Sequence, residues 1–354
     1  MAAVLASAGA DAFFAWSPVA MDYLSGFREG AAERFMALGI NSDGRVALIA
    51  PALSATQAER AGIRDVRPWK DGDDPLTVFQ SLASEWNLKS AIVALDNEMP
   101  AHQVLGMQSV LPAALFRPGG ELLGGLMRVK SPEEVSIMKR AGAIADDSLA
   151  AGLAALKAGA TERDVAEALG SAMSSRGGTP TFTIVGAGAN GAEPHHHTDR
   201  TVIQSGDVVV LDFGCDLEGY QSDITRMASV GEPDPEADRV YDVVLAAHYA
   251  ARNHARVGVT AESVDLAARK VIDEAGYGQF FMHRTGHGIG MKGHEDPNIV
   301  AGNTTLLLVG DCFSVEPGVY LPGRFGIRIE NIVTITENGC VSLNAEPPSR
   351  LPRV

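Results

Sequence analysis

Short apolar runs bounded by polar or turn residues mark the first third of the chain. DAFFAWS at 11–17, RVALIAP at 45–51, AIVALD at 91–96 and AALFRP at 113–118 read as strands. Between them, apolar residues recur at helical spacing near 28–38, 74–87 and 100–110. This alternation predicts an α/β arrangement. The opening MAAVLASAGA reads as a helix leading into the first strand, because it lacks the basic start of a secretory leader and runs into a polar-interrupted segment.

The pattern changes at 118–135, PGGELLGGLMRVKSPEEV, where glycines and prolines precede a helix start with Ser131 as N-cap and Pro132 at the first helical position. A domain boundary is expected here, with an α/β domain over 1–126 and a second domain over 127–354. In the second, helical spacing runs to about 157 and then over 161–176, 234–256 and 262–275, separated by strand-rich text, which predicts a mixed α+β domain. Each helical pair is followed by a hairpin-like segment, and this hints at an internal duplication.

Those two hairpins carry carboxylates. Asp212 facing Asp223 places a turn at Leu217 and Glu218, and Glu316 facing Glu330 places one at Gly323, beside Pro322. Pro317 and Gly318 interrupt the second ladder, so a bulge there would shift its pairing by one residue. Four carboxylates brought together repel by ~4 kcal/mol per pair at ~4 Å and an effective dielectric of ~20, or roughly 20 kcal/mol over all pairs. That exceeds the ~5–15 kcal/mol stabilising a typical domain. Either the groups are protonated or cations neutralise them. Oxygen ligands with one imidazole suit Mn, Co, Fe or Zn, unlike a closed, sulfur-rich structural zinc site.

Histidines cluster in the same half. In PHHH, at 194–197, strand alternation would send His195 and His197 to one face and His196 to the other. In HRTGHGIGMKGHEDP, at 283–297, the glycines argue for an extended segment with His283 and His287 on one side and His294 in a following loop. Arg328 shares a strand face with Glu330, as a carboxylate clamp or an orienting ion-pair partner. GAGANG at 186–191 fits a dinucleotide fingerprint in spacing, but Pro194 and three histidines follow where the pattern needs a helix.

Composition narrows the classes. A net charge of −15 over 354 residues without a basic run excludes a nucleic-acid partner, and no stretch of 18 apolar residues offers a membrane span. Hydrophobic content of 46% and charged content of 21% describe a globular chain. Three widely spaced cysteines, Cys215, Cys312 and Cys340, fit packed thiols in a reducing, cytoplasmic setting.

Taken together, LDFG…YQSDITR, HRTGHGIG, HEDP, SVEPGVY and IRIEN, preceded by PHH, resemble the pita-bread metallopeptidases, in the Xaa-Pro dipeptidase (prolidase) and aminopeptidase P branch. The match spans roughly 127–340, and MDYLSGF at 21–27 looks like the N-terminal-domain signature of that branch. The resemblance implies a creatinase/prolidase-like α/β N-terminal domain followed by an α+β pita-bread catalytic domain. It implies two divalent metal ions, manganese first and cobalt, zinc or iron as alternatives. Asp212 would hold one, His287 and Glu316 the other, and Asp223 and Glu330 would bridge them. Glu316 would move the proton of the attacking water, His195 and His294 would steady substrate and intermediate, and His283 and Arg328 would lie near the proline-side pocket. Short proline-containing peptides are the implied substrates and a homodimer the implied assembly.

Within that branch the compact chain favours a dipeptidase that releases proline over an aminopeptidase P acting on longer peptides. A creatinase-like C–N hydrolase or a non-catalytic binding module would have lost part of the ligand set, which here is complete. Lys292 and Gly293 depart from the acidic and apolar residues of many relatives and leave the preferred substrate length open.

Overall fold

The computed structural model describes residues 1–354, which form two compact units, Met1–Met127 and Arg128–Val354. The first is a six-stranded mixed sheet in the order β4-β3-β2-β1-β5-β6, built from β1 (Ala12–Ala15), β2 (Ala37–Asn41), β3 (Val46–Pro51), β4 (Val66–Trp69), β5 (Ile92–Leu95) and β6 (Leu115–Pro118). Helices α1 (Ala2–Ser7), α2 (Pro18–Ser25), α3 (Ala55–Arg60), α4 (Pro75–Glu85) and α5 (Ala101–Val110) connect the strands, and α6 (Gly120–Arg128) closes the unit. Phe14 of β1 packs edge-to-face on Phe79 of α4 at 5.5 Å, the centre of a core that includes Trp86 and Met107.

The helix expected near 28–38 does not form. Ala32 adopts a left-handed φ of 49°, residues 35–36 are irregular, and Ala37–Asn41 become β2. This strand is antiparallel to β1 on one side and to β3 on the other, and all five residues are buried. Burial on both faces with main-chain partners on both edges favours a strand over a one-striped helix. Strand β4, also unanticipated, is a partly exposed edge strand with a weak apolar signal.

The second unit begins with α7 (Pro132–Ala155), whose start is set by a reciprocal capping box between Ser131 and Glu134. Helix α8 (Glu162–Ser175) starts on an equivalent Thr161–Asp164 box. Both pack on a sheet of β7 (Thr179–Ala187), β8 (Val208–Leu217), β9 (Tyr220–Gln221) and β10 (Ile224–Ser229) through Leu169, Val185 and Phe213. A second helix pair, α9 (Pro235–His254) and α10 (Ala261–Glu274), precedes a sheet of β11 (Gly286–Gly288), β12 (Glu295–Ile299), β13 (Cys312–Val315), β16 (Asn331–Thr336) and β17 (Gly339–Ser342). The β14 (Gly318–Leu321) and β15 (Phe325–Arg328) hairpin lies between β13 and β16 in sequence. The element order of two helices followed by an antiparallel sheet thus occurs twice. Residues 188–192, GANGA, form a short 3-10 turn and not the helix of a nucleotide site.

The first hairpin differs in register from expectation. Asp212 faces Thr225, not Asp223, because the reversal lies one residue later, at Glu218 and Gly219 with φ of 54° and 87°. Two successive positive φ values make the tight turn compatible with strand twist. Asp223, just before β10, is therefore the diagonal neighbour of Asp212. Since side chains alternate with a period of two, this offset keeps both carboxylates on one face. In the second hairpin Gly323 is the tip, and Gly318 opposite Arg328 continues the register of Val315 opposite Asn331. Pro317 breaks the ladder without shifting it, leaving Glu316 and Glu330 in line.

Candidate metal centre

All five acidic or imidazole ligand candidates line one cavity of about 320 Å³, and each is placed by a different local device. Asp212 lies in the middle of β8 and Asp223 at the entry to β10. His287 is the centre of β11, flanked by two glycines that cannot be replaced: a Cβ on Gly286 would lie 1.8 Å from the Ser314 carbonyl oxygen and one on Gly288 2.2 Å from that of Asp296. Glu316 and Glu330 bond outside their own hairpin, the Glu316 N–H to Thr285 O at 2.8 Å and the Glu330 N–H to Thr225 O at 3.2 Å. The second bond ties the two hairpins together.

The donor set faces inward. His287 donates Nδ1–H to the Gly288 carbonyl at 3.0 Å, which leaves its Nε2 lone pair pointing at Glu316 Oε1, 3.4 Å away, and Asp223 Oδ2, 3.8 Å away. Asp223, His287 and Glu330 present ligand atoms all within 4.8 Å of one another. Asp212 Oδ1, Asp223 Oδ1 and Glu330 Oε1 are buried without a hydrogen-bond partner. Three orphaned carboxylate oxygens beside a free imidazole lone pair are the arrangement that cations satisfy and hydrogen bonds do not. The residues fit divalent metal ions.

The remaining oxygens are held by a connected set of donors. Ser314 Oγ receives the His287 N–H at 2.9 Å and donates to Glu316 Oε1 at 3.0 Å. Thr225 Oγ1 donates to Glu330 Oε2 at 2.7 Å and accepts from Arg328 Nε at 3.1 Å. Arg328 also reaches Asp212 Oδ2 at 2.6 Å and the Tyr320 hydroxyl at 2.9 Å. Tyr320 in turn donates to His283 Nε2 at 2.8 Å, and His283 Nδ1–H donates to the Arg284 carbonyl at 2.7 Å. Both nitrogens of His283 are therefore engaged within the protein.

Burial, joined by repulsion from neighbouring carboxylates, holds Asp223 and Glu330 well above the usual carboxylate range, and burial pushes Glu316 up to about 7. Burial also lowers His287 to about 3 and His283 to about 4, so both rings are neutral at pH 7. For Arg328 burial works against the charge, but Tyr320, Asp212, Glu316 and Glu330 together outweigh it.

The histidine run is not a strand. His195 sits in a turn and lines the cavity, His196 is buried away from it on Glu162, and His197 is exposed. A turn replaces the expected alternation because β7 ends at Ala187, where Gly188 takes a left-handed φ of 53°, and Pro194 lies in the turn that carries His195. His294 reaches the cavity from the loop before β12, its ring 3.9 Å from that of His287, with Nδ1 accepting from Arg284 at 3.1 Å. Its Nε2 therefore carries the proton. Sequence reasoning missed Phe182, Ile184, Gln221 and Arg284 on the cavity wall and Thr225, Ser314 and Tyr320 behind it. Thr225 and Ser314 were legible, each two residues from a ligand candidate and so on its face of the strand.

Residues 136–337 match the model of metallopeptidase family M24 and residues 1–126 that of the creatinase/prolidase N-terminal domain. The probable dipeptidase PepE of Mycobacterium tuberculosis is 41% identical over 92% of this chain and 87% of its own length. An Xaa-Pro dipeptidase of Lactobacillus delbrueckii is 34% identical, covering 94% of this chain and 92% of its own. The crystal structure of a recombinant prolidase from Thermococcus sibiricus superposes with a TM-score of 0.95 at 32% identity, over 100% of this chain and 97% of the other. The chain belongs to metallopeptidase family M24. It has the two-part architecture of a creatinase-type N-terminal domain and a pita-bread catalytic domain, and its chemistry uses divalent metal.

Proposed function

We propose that this enzyme is a two-metal Xaa-Pro dipeptidase that releases proline from dipeptides. The observation carrying the reading is the trio of unpartnered, buried carboxylate oxygens around the open Nε2 of His287. Asp212, Asp223, His287, Glu316 and Glu330 would hold two divalent ions, manganese as first choice, with Asp223 and Glu330 shared. Such ions supply Lewis acidity to polarise the scissile carbonyl and to make water a better nucleophile.

The chain's own residues account for the rest of the reaction. Glu316 Oε takes a proton from the attacking water and returns it to the departing proline nitrogen, its carboxylate oriented by the bond from Ser314 Oγ to Oε1. His294, locked as the Nε2–H tautomer, offers a hydrogen bond to the carbonyl oxygen as charge develops there, with His195 on the same cavity. Arg328 fixes Asp212, and through Tyr320 it fixes His283, on the proline side of the cavity. An Xaa-Pro bond lacks the amide N–H, so a site that requires no such donor suits it.

Residues 1–126 serve as the N-terminal domain and 127–354 as the catalytic domain in this reading. Three free thiols support a cytoplasmic setting, and no helix is long and apolar enough to cross a membrane. A homodimer rests on the family likeness. The test is free-proline release from Xaa-Pro dipeptides and Xaa-Pro-Xaa tripeptides under different added metals. Cleavage of dipeptides, dependent on added metal, is expected. Cleavage of the longer peptides alone would mark an aminopeptidase P instead.

A further inference from the structure

Of the histidine run, the proposed reaction uses neither the exposed His197 nor His196, and the surroundings of His196 are unusual. Glu162, the first residue of α8, is fully buried, and its carboxylate gathers donors from the end of β7 and from both arms of the loop that follows it. Oε1 accepts from the Ala187 N–H at 2.8 Å and Asn190 Nδ2 at 3.0 Å. Oε2 accepts from His196 Nε2 at 2.7 Å and the Asp199 N–H at 3.3 Å. Glu162, His196 and Asp199 are close enough to suggest a second cation site. With both Glu162 oxygens already receiving two donors each, no lone pair is left for an ion, and the cluster is an anchor.

What it anchors is His195. That side chain lines the cavity, is exposed, and makes no hydrogen bond of its own, whereas His294 is held by Arg284 and lies against His287. The place of the His195 ring is therefore set by its backbone, and the adjacent residue is fixed on Glu162. We propose that Glu162 and His196 are a positioning pair that holds His195 in the cavity, an inference that rests on His195 contacting the substrate. Because a carboxylate only accepts, His196 Nε2 carries the proton. A glutamine at 162 would turn an amide NH₂ towards two donors and release one arm of the loop while keeping side-chain size.

The test is a double-mutant cycle of Glu162→Gln and His195→Ala on an Xaa-Pro dipeptide with the metal-loaded enzyme. Glu162→Gln is expected to lower kcat about 10- to 100-fold at unchanged metal content, as does loss of a supporting partner or a misplacement of about 1 Å. It should lower kcat no further in the His195→Ala background. His196→Gln, which keeps an N–H donor, should retain more activity than His196→Ala, and this pair repeats the cycle if Glu162→Gln does not fold. Additive losses with His195→Ala, or wild-type kcat in the single variants, would overturn the pairing. The imidazole NMR signal of His195 gives the placement without turnover: it should move in Glu162→Gln and His196→Ala, and an unmoved signal sinks the inference. If the wild type releases no proline from any Xaa-Pro peptide, the proposed function fails while the NMR arm still decides the pairing.

Discussion

Two groups of buried carboxylates lie within the same unit and have opposite bonding. Glu162 is fully buried with every oxygen supplied by two donors, so its negative charge is a structural asset. Asp212, Asp223 and Glu330 are also buried, yet each keeps one oxygen without a partner, and burial with mutual repulsion opposes charge on Asp223 and Glu330. Burial alone therefore does not separate structural from functional acids. The convergence of unfilled oxygens from Asp212, Asp223 and Glu330 on one cavity does, because buried acceptors left open together are costly unless something outside the chain fills them.

The contrast can be broken most visibly at Asp223. Asp223→Asn removes one shared negative charge while keeping the shape, and should lower kcat/KM by about 10³-fold or more, as expected for a group acting with others as a unit. Elemental analysis should show reduced metal content. Retained hydrolysis with full metal content would put the reactive centre elsewhere.

Stability should separate the two groups by sign. Glu162→Ala strands four donors and is expected to cost about 3 kcal/mol in urea unfolding. Asp223→Ala in chelator-treated protein relieves repulsion instead and should leave stability equal or raise it by about 1 kcal/mol. Similar losses in both variants would erase the distinction.

The pH dependence sharpens it further. In the metal-free protein Glu316 has a folded pKa of about 7, above its ordinary 4.5. The folded chain then binds more protons than the unfolded one between those values, so stability falls as pH rises from about 4.5 to about 7. Asp223 and Glu330 act in the same direction. With metal added the trend should reverse, since ions displace those protons and bind more tightly at higher pH. Melting temperatures across pH 5–8, with chelator and with manganese, provide the check. The smallest effect is expected at Thr225→Val, which removes the 2.7 Å bond to Glu330 and should destabilise by roughly 1 kcal/mol.

Local chemistry made much of this molecule legible in its sequence. Ser131 followed by Pro132 and Glu134 specified the start of α7 within three residues, and the Gly323 turn specified the second hairpin and hence the alignment of Glu316 with Glu330. The reversal of the first hairpin was misplaced by one residue because Glu218 takes a left-handed φ that its identity does not advertise. The face shared by Asp212 and Asp223 survived the error, since a period of two tolerates an even shift.

Where non-local contacts decide conformation, the chain alone was silent or misleading. Residues 37–41 became a strand because two flanking strands required one, and His196 turned away from the cavity because Glu162, 34 positions earlier, waits beneath the loop. The sequence by itself determined which side chains have the chemistry for metal and proton transfer, since residue type and local turns set donor identity and strand face. Only the tertiary structure decided which of those donors are already satisfied, because the partners that fill a buried lone pair come from distant segments that no local pattern brings together.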